Sequence, residues 1–110
     1  MARTYKLPQV QGTAGISTYA TLYSTSASVS GVVSTIAICN TAAASATYRI
    51  AIMPTEGTPS AEHWIVYGAS VPANETVFLT IGLSVPSSRF IRVSSSANTV
   101  TFAASISELS

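Results

Sequence analysis

Catalysis and metal binding draw on groups that carry charge or lone pairs, and this chain holds few of them: four Glu, one His, one Cys and no Asp in 110 residues. A Ser-His-Asp triad is excluded for want of the Asp, and a Ser-His-Glu version would have to join His63 to a distant Glu. Glu62 and His63 are adjacent, so in a strand they point to opposite faces and cannot share one ion. They read as a loop carboxylate and a strand-edge imidazole. Cys39 lies in an apolar stretch, where a free thiol packs as a small hydrophobe, which argues against a Cys-His pair with His63. Neither G-x-x-x-x-G-K-[ST] nor G-x-G-x-x-G occurs, so no phosphate loop is encoded. These residues supply no catalytic, cofactor or metal site, and the chain is expected not to be an enzyme.

The five basic residues, Arg3, Lys6, Arg49, Arg89 and Arg92, are dispersed, whereas nucleic-acid binders concentrate positive charge on one face. Arg49 and Arg92 are placed to share an outer sheet surface and to pair with Glu residues of this chain or a neighbour. Direct nucleic-acid binding is not expected. Asn74-Glu75-Thr76 matches a glycosylation sequon but reads as a turn with Asn74 at its corner. That leaves the aromatics: Trp64, Tyr67, Tyr19 and Tyr23 are able to pack on a sheet face, fill a partner's pocket or stack on a sugar. Trp64 and Tyr67 are the candidate interface residues among them.

The elements that position these side chains are strands. Tyr48, Ile50 and Ile52 alternate with Arg49, as a half-buried strand requires, and the same period recurs at Val77, Leu79 and Ile81, at Ile91 and Val93, and at Val100, Phe102, Ala104 and Ile106. Turn residues separate the runs: Ser30-Gly31, Pro54 to Pro59, Pro72-Ala73-Asn74, Pro86-Ser87-Ser88 and Ala97-Asn98. Seven strands follow, at about 19–25, 31–39, 46–53, 63–69, 75–83, 89–95 and 99–107. The fold is expected to be all-β, an antiparallel sandwich or a small barrel, with 42–46 as a loop because one Ala-rich turn is too short to stand as a helix. In the second strand Ile36 and Ile38 take one face while Val33, Ala37 and Cys39 take the other. Either a bulge shifts the phase or a partner covers the outer face. Residues 1–18 lack any sustained period and read as an extended N-terminal arm ahead of a 19–110 sandwich domain, with Tyr5, Leu7 and Val10 as its anchors.

Composition gives the arrangement a purpose. Hydrophobic residues make up 47 % of the chain and charged ones 8 %, against about 25 % ordinarily, and the net charge is +1. No charged residue lies between Lys6 and Arg49. Soluble monomers stay dispersed by interspersed charge, so this surface suits a subunit largely covered by neighbours, copies of itself included. No apolar run approaches the 18 or so residues of a membrane helix, and no apolar segment of a signal peptide follows the basic N-terminus. The single cysteine fits assembly in a reducing compartment.

The stretches VVSTIAICN at 32–40 and ATYRIA at 46–51, then HWIVY at 63–67, VPANET at 71–76, RFIRV at 89–93 and VTF at 100–102, resemble a recurrent module of tailed-bacteriophage structural proteins over about residues 20–108. The resemblance implies an immunoglobulin-like β-sandwich in the virion, present in many symmetric copies and assembled in the host cytoplasm. For a free-standing module it implies a capsid decoration or cement protein that binds the major capsid protein and its own copies. Neck, tail or baseplate accessory roles are the first alternative, and a glycan-binding host-adhesion module is the second.

Overall fold

The computed structural model describes residues 3–12, 15, 18–55 and 57–109, with the side chains of Arg3 and Ile81 outside that description. Residues 1, 2, 13, 14, 16 and 17 of the expected arm, and the acid Glu56, lie outside the described residues.

Each run of period-two alternation becomes a strand: β3 (Ala20–Ser24), β4 (Ser30–Asn40), β5 (Ala46–Met53), β6 (Trp64–Val71), β7 (Thr76–Val85), β8 (Phe90–Ser95) and β9 (Val100–Leu109). Two short strands precede them, β1 (Arg3–Lys6) and β2 (Gln9–Gln11), so the described residues hold nine strands rather than seven. Both lie on one edge of β9, with Tyr5 opposite Ser107 and Val10 opposite Phe102. The segment expected as a loop at 42–46 is a bend over 42–44, and Ala46 already opens β5. Asn74 turns its corner in the left-handed region at φ 56°, and its N–H donates to Ala42 O at 3.0 Å.

The strands form two antiparallel sheets. Sheet I runs β1/β2, β9, β4, β7; sheet II runs β3, β8, β5, β6. The partners nest: β1/β2 with β9, β3 with β8, β4 with β7, β5 with β6. Such nesting arises when one long hairpin, with β5 and β6 at its tip, is rolled across two layers. With β1 and β2 counted as two parts of one strand, this is the eight-stranded jelly-roll order. An immunoglobulin sandwich sets its first, second, fifth and fourth strands side by side. Here the N-terminal strands and β4 take both edges of β9, so β8 pairs with β3 instead, and the implied immunoglobulin order is corrected on that ground.

Between the layers the inward side chains close a single core: Val33, Ile36, Ile38, Phe102 and Ile106 from sheet I, and Tyr48, Ile50, Ile91 and Val93 from sheet II, all at most 2 % exposed. Each large apolar side chain buried here contributes about 1.5–3 kcal/mol. Tyr48 meets Phe102 edge-on with ring centroids 6.3 Å apart, an arrangement aromatic pairs favour. The ambiguity in β4 resolves as a bulge. Register shifts between Val33 and Thr35, so Val33 joins Ile36 and Ile38 on the inner face, while Ala37 and Cys39 face outward and are half-buried.

Candidate interaction surfaces

The core uses up the inner faces, so any action on another molecule belongs to the outer faces, edges and end loops. On sheet II, β5 sends Tyr48 and Ile50 inward and Arg49 outward, as the alternation requires. Cross-strand pairing sets Arg49 opposite Ser94 and Ala51 opposite Arg92, so the two arginines do share one outer surface. Strand β6 breaks its period twice. Trp64 pairs with Ala51, Val66 with Ile50, Tyr67 with Arg49 and Ala69 with Tyr48, leaving Ile65 and Gly68 as extra residues. The bulge at Ile65 brings Trp64 and Tyr67, three positions apart and so on opposite faces of a regular strand, onto the same face. Gly68 takes φ 76°, which only glycine adopts without strain.

A cation–aromatic cluster results. The Arg49 guanidinium carbon lies 4.2 Å from the Tyr67 ring centroid and 5.5 Å from that of Trp64. The two rings meet edge-on at 4.8 Å, and Tyr19 lies 6.0 Å from Trp64. Arg49 Nη1 donates to the Tyr19 hydroxyl at 3.3 Å. Contacts of an arginine with a ring face contribute about 0.5–1 kcal/mol each where solvent is near. Arg92 Nη1 donates to Thr21 Oγ1 at 2.7 Å, and its Nη2 to the Tyr19 carbonyl at 3.4 Å. Among the described residues Arg49 is therefore held by aromatic rings rather than by a Glu of its own chain.

Sheet I presents a different outer face. The outward positions of β4 (Val32, Ser34, Thr35, Ala37, Cys39), of β7 (Thr76, Phe78, Thr80, Ser84) and of β9 (Thr101, Ala103, Ser105, Ser107, Leu109) carry no charge. Phe78 stands on this field of small side chains and is 67 % exposed. At one end Tyr5, Val32 and Leu109 border a groove of about 440 Å³ floored by Gly31 and Ser107. Tyr5 is 77 % and Leu7 64 % exposed, whereas Val10, the third arm anchor, turns inward and packs against the core.

Two polar ties join the layers. The Tyr23 hydroxyl donates to Glu108 Oε2 between β3 and β9. Asn40, fully buried at the opposite end, donates from Nδ2 to Ala44 O at 2.8 Å and accepts at Oδ1 from Ala42 N and Thr99 Oγ1, each at 3.1 Å. His63 ends a single 3-10 turn, where its Nδ1 accepts from Ser60 N at 3.1 Å. Cys39 lies in β4 of sheet I whereas His63 lies in the turn that leads into β6 of sheet II, and among the described residues no three His, Cys, Asp or Glu side chains converge to hold a metal ion.

Sequence reasoning reached Trp64, Tyr67 and Arg49 but not their convergence, which depends on the bulge. It also missed Phe78, although a signal exists: an aromatic on the polar side of an alternating strand, between the inward Val77 and Leu79.

No protein-family model and no curated protein matches the chain. A chain in the crystal structure of the T13 IBDV viral particle, described as a missing link in the evolution of icosahedral viruses, matches in structure with a TM-score of 0.54 at 9 % sequence identity. The match covers 96 % of the present chain and 30 % of that one. At such identity the likeness is one of fold.

Proposed function

We propose that this protein is a non-enzymatic structural subunit of a virus particle, acting by packing its outer surfaces against neighbouring subunits. The observation that carries this reading is the outer face of β4, β7 and β9 in sheet I, which carries no charge, with Phe78 exposed on the edge strand β7, on a fold shared with a chain of an icosahedral particle. Desolvating hydroxyls, methyl groups and one aromatic ring costs far less than desolvating charges. A neutral face also meets a symmetry-related copy of itself without like-charge repulsion, as a two-fold interface demands.

In its finer form the reading is a decoration or cement protein of a tailed-phage head, seated on the major capsid protein and on its own copies, with Tyr5, Leu7, Trp64 and Tyr67 as further contacts. Interfaces of this kind bury roughly 1,200–2,000 Å². Phe78→Asp is the direct test. It changes an exposed side chain, so stability is expected to move by no more than about 0.5 kcal/mol, while sedimentation is expected to show loss of self-association and of binding to particles stripped of the protein. A Phe78→Asp chain that assembles and binds like the wild type would refute the reading.

A further inference from the structure

The cation–aromatic cluster on sheet II has an unused recognition edge. Arg49 engages Tyr19 through Nη1 and the rings of Tyr67 and Trp64 through its plane, while its buried Nε hydrogen-bonds to nothing. Nε–H and the neighbouring Nη2–H of a guanidinium form the side-on fork that matches the two oxygens of a carboxylate. Directly across the ladder from Arg49 is Ser94, fully buried, whose hydroxyl also has no hydrogen-bond partner. Leaving such donors unsatisfied carries the desolvation cost of each group with nothing to offset it, and buried polar groups in native proteins are rarely left so.

We infer that Arg49 and Ser94 form a carboxylate-binding site on the outer face of sheet II, occupied by an Asp or Glu side chain of a partner protein. One oxygen would accept from Arg49 Nε–H and Ser94 Oγ–H, the other from Arg49 Nη2–H. Tyr67, whose ring covers the guanidinium plane from β6, is 62 % exposed on an edge strand and so is free to move as an occupant enters. Charge favours such an occupant: this face carries Arg49 and Arg92, and no Glu occupies a register position beside them in β5, β6 or β8. The surroundings favour a protein acid over an acidic sugar. Trp64, Tyr67 and Ala51 suit the methylenes of an acidic side chain, whereas a sugar needs amide or carboxylate acceptors for its hydroxyls, and these three strands place none on this face. The site follows from local geometry and does not rest on the virion reading.

Titration of the intact chain with N-acetyl-glutamate amide, N-acetyl-glutamine amide and N-acetylneuraminic acid, followed by NMR at the Arg49 Nε–H and the Ser94 amide, tests the inference. Saturable shifts at both sites are expected with the glutamate derivative at millimolar levels and not with its neutral glutamine counterpart. Affinity is expected to fall roughly tenfold in Arg49→Lys, which keeps the charge but loses the fork, and severalfold in Ser94→Ala. Equal responses to the glutamine and glutamate derivatives, or no saturable response, would overturn the site. Tighter binding of N-acetylneuraminic acid than of the glutamate derivative would overturn its assignment to a protein acid. Should Arg49→Lys fail to fold, the wild-type comparison of the three ligands decides alone.

Discussion

The phenol of Tyr23 holds its proton well above the usual tyrosine range, chiefly because burial penalises the phenolate, with the Glu108 hydrogen bond and charge adding to it. Burial raises Tyr48 as well. In the folded state both groups keep protons that the unfolded chain releases near pH 10, so their contribution to stability is intact below about pH 10 and is lost as pH rises beyond it. Urea unfolding at neutral and alkaline pH is expected to show this loss. Tyr23→Phe is expected to cost about 1–2 kcal/mol at pH 7 through the missing bond to Glu108 and to reduce the alkaline decline. Asn40 concentrates more in one side chain, because it satisfies the loop after β4 and the turn before β9 together. Asn40→Ala is expected to cost about 1–3 kcal/mol, measured by the same unfolding curves, since it removes a fully buried amide and three part-buried hydrogen bonds at once. An outcome within a few tenths of a kcal/mol would mean that water replaces the amide.

Strands announce themselves by period, and the seven that bury a full inner row were legible for that reason: Tyr48-Ile50-Ile52 and Val100-Phe102-Ala104-Ile106 are alternations that only a half-buried strand explains. β1 and β2 were not legible, because three- and four-residue edge strands built from Arg-Thr-Tyr-Lys and Gln-Val-Gln carry at most one inward apolar residue, here Val10. Pairing was invisible too. Period fixes which face a side chain takes and says nothing about which strand lies beside it, so the same runs fitted an immunoglobulin order and a jelly roll equally. Bulges were the third gap: one extra residue at Ile65 unites Trp64 with Tyr67, and one near Ser34 restores Val33 to the core. The junction of β2 with β9 gives a test at this scale. A Cβ on Gly12 would lie 2.1 Å from Ser95 Oγ, which can turn away, and 3.1 Å from the Val100 carbonyl, which cannot. Gly12→Ala is therefore expected to loosen β2, costing about 1–3 kcal/mol and speeding hydrogen exchange along 100–103. Unchanged exchange there would show that the edge adapts freely. Gly68→Ala is milder: its Cβ meets nothing within 4 Å, and only the left-handed backbone opposes it, at about 1 kcal/mol.

At the scale of the molecule, the two outer faces divide the surface by character. On sheet I, β4, β7 and β9 offer an uncharged outer field with Phe78, Val32 and Leu109, bordered on β1 by Tyr5 and the register position of Arg3, while sheet II offers two arginines among aromatic rings. With 8 % charged residues, the chain has few charges that a neighbour packed on these faces would have to desolvate. Particle assembly is the central functional claim, and a reconstruction of purified virions by electron cryomicroscopy, at a resolution that separates strands, tests it most directly. This jelly roll is expected in many symmetry-related copies, with the outer face of sheet I seated against another subunit and Phe78 buried. Particles without the protein, or copies whose sheet I faces open solvent, would contradict it.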